Sequence, residues 1–286
     1  GQIPSTAIGK GYGDLHEIDD QLGMIRHITK WAARIDHPSH APDTIREAFR
    51  QLTTGSPRPV EVEMPMDIMA LEAKVDLLPA VGNYPLPPVD ERLVEQAVAM
   101  LRAAKKPLIY VGSGAMEAAA EVLRVAEALQ APVVSFRAGK GIVSDEHYLS
   151  ANFPMGHKLW GEADVVLAVG TRLHWPLVMW GKDEDLKLIR VDIDPVQLER
   201  ISKPELGIVG DSAAVLAAIG AGLGSATHRA PSREAELVAL RKAVYAQLRE
   251  KVGPQMAYLD VIREELTRDG IIVDEVTKVG IVSWYG

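Results

Sequence analysis

Gly112-Ser113-Gly114 follows the apolar run "PLIYV" and opens a stretch of helical character, so the chain carries the first two glycines of a dinucleotide fingerprint. Glu117 stands where the third glycine would be. A turn of this kind can bring backbone N–H groups and a helix N-terminus to a phosphate. The same residues also suit a tight strand-to-helix turn that holds nothing. Arg172 comes two residues after the run "DVVLAVG". An arginine there can grip a phosphate or carboxylate through two parallel hydrogen bonds, or serve a surface ion pair. Asp192 and Asp194 flank Ile193 at the end of "LKLIRVDID". They could accept hydrogen bonds from ribose hydroxyls, and Asp194 suits the cap of a helix beginning at Pro195.

Other chemistry is absent or unsupported. There is no cysteine, which removes disulfides, thiolate zinc sites and a cysteine nucleophile, and fits a reducing cytosol. "AGKGIV" lacks the spacing and the Ser or Thr of a phosphate-cradling P-loop. His37 and His40 sit in a Pro/Ser loop with no further ligand nearby, so no metal site is expected. His147 and His157 read as loop or cleft residues, and no Ser-His-Asp arrangement follows from spacing. The formal net charge of -8 argues against a nucleic-acid partner, while a phosphate can still bind locally.

The elements that must position these residues are short apolar strands alternating with helical spacing, which imply parallel sheets covered by helices. "PDTIREAFRQL" has Ile45, Phe49 and Leu52 on one helical face, and "VEVEMP" reads as a strand ended by Pro65. The proline-rich "LLPAVGNYPLPPVD" reads as a connector. After it, Asp90 can cap a helix with Leu93, Ala97, Met100 and Leu101 on its face. Strands follow at "PLIYV", "PVVSF", "DVVLAVG", "LKLIRVDIDP" and "LGIVG", then a helix from Asp211. The special residues cluster where strands end, which is the ligand edge of an open α/β sheet. A second polar connector, "THRAPSREAE", leads to a long helix, a break at Gly253-Pro254, another helix, and a strand at Ile271–Val273. The longest small-apolar stretch, Ala213 to Leu223, is too short to span a bilayer, and no signal segment opens the chain. The expected class is α/β, with a Rossmann-like central domain of the transhydrogenase domain III kind and partial α/β domains on either side. Both ends of the chain read as internal to a longer protein.

That arrangement, with several ordered phrases, resembles the thiamine-diphosphate enzymes of the acetolactate synthase and benzoylformate decarboxylase group. The phrases are "GQIPSTAIG", "ITK", "IREAFRQLTTGSPRPVEVEMPMDI", "KKPLIYVGSGA", "GKGIVSDEH", "ADVVLAVGTRL", "IRVDIDP" and "IVGDS". The resemblance implies the end of a pyrimidine-binding domain over 1–72, a central domain over 73–225, and a linker helix with the start of a diphosphate-binding domain over 226–286. It implies decarboxylation or carboligation of 2-oxo acids, with thiamine diphosphate and Mg²⁺ as cofactors and FAD in some members. It also implies a homodimer or homotetramer, and the absence of cysteine fits a cytoplasmic location.

By motif match, Gln2 lies close to the cofactor and Lys30 near the substrate channel, which makes them the catalytic candidates. Thr277 and Lys278 fall in the loop that touches the diphosphate, with Lys278 replacing the small or amide residue often seen there. Arg172 matches the arginine that approaches flavin and the second substrate's carboxylate. Leu173, His174 and Trp175 depart from the synthase pattern. Gly112, Ser113, Gly114 and Asp192 are the remaining cofactor-binding candidates. The family's catalytic glutamate would precede Gly1 and its Mg²⁺-binding motif would follow Gly286, so the chain alone is expected to be inactive. A nucleotide module binding FAD, ADP or NAD without thiamine chemistry is the alternative.

Overall fold

In the computed structural model, which describes residues 2–80, 82–224 and 230–285, the alternation of short strands with helices becomes two separate parallel sheets. The chain divides into two units, Gly1–Leu86 and Pro87–Gly286.

The first unit holds α1 (Gln21–Arg26), β1 (Trp31–Arg34), α2 (Ala41–Thr53), β2 (Val60–Glu63) and α3 (Met66–Met69). β1 and β2 pair in parallel from Trp31↔Val60 to Arg34↔Glu63. Strand β1 was not expected from "WAAR", because only Ala32 of its four residues is buried and no apolar alternation marks it. α2 buries Ala48, while Ile45 and Phe49 of the expected apolar face are exposed. A two-stranded sheet offers little surface to cover a helix face. Those two side chains instead line a cavity of about 690 Å³ with Leu78 and Tyr84 of the proline-rich segment.

The second unit runs α4 (Glu91–Ala103), β3 (Pro107–Val111), a 3-10 stretch (Ser113–Ala118), α5 (Ala119–Leu129), β4 (Val133–Ser135), β5 (Ser150–Ala151) and α6 (Phe153–Trp160). It continues with β6 (Val165–Val169), a π-turn (Pro176–Trp180), β7 (Lys187–Asp192), α7 (Pro195–Leu198), β8 (Leu206–Val209), α8 (Ser212–Leu223), α9 (Glu234–Glu265) and α10 (Lys278–Ser283). The sheet order is β5-β4-β3-β6-β7-β8, parallel throughout. Strands β3 and β6 are buried at every residue, as expected of continuous apolar runs in a covered parallel sheet.

Aspartates start the helices as their positions predict. Asp90 accepts from the Leu93 amide at 3.1 Å, Asp194 from Val196 at 3.0 Å and Asp211 from Ala214 at 3.0 Å. α8 packs on both α4 and α5, and α6 packs on β4 and α9. Leu237 and Val244 of α9 join the core of the second unit. α9 breaks at Val252, just before the expected Gly253-Pro254 interruption. The polar connector expected from Thr227 begins outside the described residues.

The strand expected at Ile271–Val273 does not form. These residues belong to no helix or strand and have no ladder partner among the described residues, and Ile271 and Val273 are almost fully exposed. A strand needs a neighbour for its N–H and C=O groups, and apolar content alone does not provide one.

Candidate functional site at the carboxyl edge of the central sheet

The sheet order reverses between β3 and β6, because β4 and β5 extend from one side of β3 and β6 to β8 from the other. Ligands of open α/β sheets favour the crevice at such a point. Here the two turns that meet there lock together. The Gly112 amide donates to the Val169 carbonyl at 3.1 Å, and the Gly114 amide to the Gly170 carbonyl at 3.0 Å. Gly170 has φ of +56°, and a methyl group on it would lie 2.3 Å from the Gly114 carbonyl carbon. Both glycine amides are therefore spent on the neighbouring turn. Ser113 and Arg172 remain exposed beside it, so the structure brings Gly112, Ser113, Gly114 and Arg172 to one place.

Asp192 sits at the end of the adjacent strand, β7, and is 8% exposed. Its Oδ1 accepts from the Asp194 amide at 3.0 Å. Burial pushes its carboxyl pKa up, while the Asp194 amide and Arg190 pull it back. Sequence reasoning missed Arg190, which is 1% exposed. Its guanidinium donates to the Thr171 carbonyl at 3.0 Å and to the Arg200 carbonyl at 3.0 Å. Burial lowers its pKa and Asp192 opposes that. Arg190 thereby ties the β6 turn to the segment after α7. A signal for it was present: residues two apart in a strand point to the same face, and an Arg two before an Asp in an apolar strand suggests a shared buried environment.

Gln2 and Lys30 lie in the first unit. The Gln2 side-chain oxygen accepts from the Ile3 amide at 2.8 Å. The Lys30 ammonium donates to the carbonyls of Gln51 at 2.6 Å, Thr54 at 2.5 Å and Ser56 at 3.2 Å. It therefore satisfies the carbonyl end of α2, where a cation also meets the favourable end of the helix dipole. Lys30→Met is expected to lower stability in urea denaturation by about 1.5–3 kcal/mol, the loss of hydrogen bonds from a charged donor. An unchanged midpoint would show that these contacts contribute nothing. Glu61 on β2 was not singled out by its sequence. Burial and then Glu63 raise its pKa, and its Oε2 has no hydrogen-bond partner.

Thr277 and Lys278 begin α10. The Thr277 hydroxyl accepts from the Gly280 amide at 3.0 Å as the helix cap, and Lys278 is exposed. Among the described residues no group of three or more His, Asp or Glu side chains stands close enough to hold a metal ion. No helix among them is long and apolar enough to cross a membrane.

Residues 94–219 match the family model described as the central domain of thiamine pyrophosphate enzymes. The chain is 30% identical over 289 residues to a probable 2-ketoarginine decarboxylase of Pseudomonas aeruginosa, an alignment that takes in 98% of this chain and 51% of that protein. It is 31% identical over 228 residues to the large subunit of acetolactate synthase isozyme 1 of Escherichia coli, covering 76% of this chain and 40% of the relative. It is also 31% identical over 233 residues to a glyoxylate carboligase of Escherichia coli O157:H7, covering 76% and 38%. The chain thus spans about half or less of the length of these relatives.

Proposed function

Because this chain belongs to the thiamine-diphosphate-dependent enzymes, we propose that it serves a decarboxylase or carboligase of 2-oxo acids, a lyase or transferase. The observation that carries this reading is the alignment of 98% of the chain with a protein named for decarboxylation of a 2-oxo acid. Two other relatives are named as an acetolactate synthase and a carboligase.

Thiamine diphosphate, when bound, supplies a carbon nucleophile and an electron sink. In this reading the chain comprises the end of a pyrimidine-binding domain to residue 72, a central domain to residue 225, and the start of a diphosphate-binding domain. The donor set at the start of α10 suits a diphosphate, since Lys278 offers an exposed cation beside the Thr277 cap. Gln2 would lie by the cofactor and Lys30 would shape the substrate side from its place at the end of α2. The catalytic glutamate and the Mg²⁺ ligands are proposed to lie outside these residues, the intact protein to be a cytoplasmic homodimer or homotetramer, and the 286 residues alone to be inactive.

The test is turnover of 2-ketoarginine, pyruvate and glyoxylate with thiamine diphosphate and Mg²⁺, by the protein expressed from its whole gene and by this chain in parallel. Cofactor-dependent decarboxylation by the first and none by the second is expected. Turnover by the isolated 286 residues overturns the inactivity claim. No decarboxylation of any 2-oxo acid overturns the thiamine reading.

The second reading is a nucleotide module, and the exposed Ser113 and Arg172 at the sheet edge favour it. Arg172 would hold a phosphate, Asp192 would take ribose hydroxyls, and Gly112 and Gly114 would shape the floor. Flavin absorbance in the purified protein would support FAD there.

A further inference from the structure

Four of the five tryptophans belong to one cluster of rings with Phe136, Phe153 and Tyr285. Phe136 follows β4 and Phe153 opens α6, and their rings stack at 4.3 Å. Tyr285, just past α10, lies over both, 6.5 Å from Phe136 and 6.0 Å from Phe153. Trp284 meets Phe136 edge-on at 6.1 Å. Two polar side chains near β4 then take the free carbonyls at the end of α10: the Lys140 ammonium donates to Ser283 at 3.2 Å and the Asn152 amide to Tyr285 at 2.6 Å.

Arg137 is the unusual member. It is a non-glycine residue with φ of +49°, a conformation that persists only where surrounding contacts hold it. Its guanidinium carbon lies 4.4 Å from the Trp284 ring centroid and 5.1 Å from that of Phe136. Both distances suit a cation over an aromatic face. The indole it holds is also a link. Trp284 Nε1 donates to Asp274 Oδ2 at 3.0 Å, and the Ser283 hydroxyl donates to the same oxygen at 2.9 Å. A continuous series of contacts therefore runs from the end of β4 through Arg137 and Trp284 to Asp274, at the head of the turn that ends in Thr277 and Lys278.

We propose that Arg137 is a positioning residue, which through Trp284 fixes the Asp274–Lys278 turn against the carboxyl edge of the central sheet. This deepens the reading above, because that turn is the one assigned to the cofactor diphosphate, and it gives Arg137 a place in the chemistry without contact to substrate.

The experiment is backbone hydrogen exchange on the full chain with no cofactor present. Glycine adopts the left-handed φ without strain, so Arg137→Gly removes the guanidinium and spares the local backbone. Exchange at residues 278–285 is expected to rise roughly 3- to 30-fold, as the loss of two cation–aromatic contacts implies. Rates in β3, β6 and β7 should stay at the parent values, and Arg137→Lys should recover part of the protection. Unchanged exchange at 278–285, an equal rise throughout the sheet, or a lysine variant no better than glycine overturns the proposal. Since no cofactor is present, such a result leaves the thiamine reading standing, and absent 2-oxo acid turnover counts against that reading alone.

Discussion

Gly170→Ala is expected to lower the melting temperature of the second unit by roughly 6–12 °C. Two costs combine. At φ of +56° a Cβ is disfavoured, by about 1–2 kcal/mol. The methyl group would also lie 2.3 Å from the Gly114 carbonyl carbon and 2.7 Å from the Ala115 nitrogen. Those atoms are backbone, held by the hydrogen bonds between the two turns, and cannot rotate aside, so about 1–3 kcal/mol of overpacking is added. A total on the order of 3 kcal/mol corresponds to about 2–4 °C per kcal/mol in a domain of this size. Gly141→Ala is the control. Its φ is +85°, and a methyl group there meets nothing within 4 Å, so it carries only the first cost. Calorimetry that finds the two variants equally stable would show that contact between the β3 and β6 turns is not tight in solution.

This contact also decides how the glycine pair should be understood. A dinucleotide fingerprint needs backbone N–H groups free for phosphate. In this chain the Gly112 and Gly114 amides serve Val169 and Gly170, 57 and 56 residues further on. "GSGA" and "AVGTR" were each legible as strand-end turns, but nothing in either predicts that one is packed into the other. Such long-range pairing is a property of the sheet order.

The same division holds across the molecule. The second unit was legible because its signals are local: buried strands as unbroken apolar runs, and helices opened by Asp90, Asp194 and Asp211. What escaped depends on distant partners. Strand β1 exists because "WAAR" pairs with "VEVE", although three of its residues are only partly buried. The run Ile271–Val273 has the opposite character, with strand composition and no ladder partner among the described residues. The family resemblance puts Lys30 near a substrate channel, while its place at the end of α2 rests on carbonyls 21 to 26 residues later. The aromatic cluster draws its rings from four segments between Phe136 and Tyr285, and no spacing joins them.

Arg190→Met is expected to cost about 3–5 kcal/mol at neutral pH, the range for removing one member of a buried charged set. Methionine fills much of the same volume but donates nothing, so the carbonyls of Thr171 and Arg200 lose the guanidinium. Asp192 also loses the nearby cation that favours its charged form. The pH dependence separates these effects. The folded pKa of Asp192 lies above its unfolded value through burial, so the folded state binds more protons in that interval and stability falls as pH rises through it. Removing Arg190 widens the interval. The penalty should therefore be fully present above the folded pKa and shrink as pH falls toward the unfolded value. Urea denaturation of both proteins from pH 4 to 8 measures it. Asp192→Asn keeps an acceptor for the Asp194 amide and removes the charge, so in the Arg190→Met background it should flatten the pH dependence while leaving the cost of the two carbonyls. A penalty that is constant with pH would show that Arg190 acts only through those carbonyls, and a penalty below about 1 kcal/mol would show that it is not needed to join the β6 turn to the segment after α7.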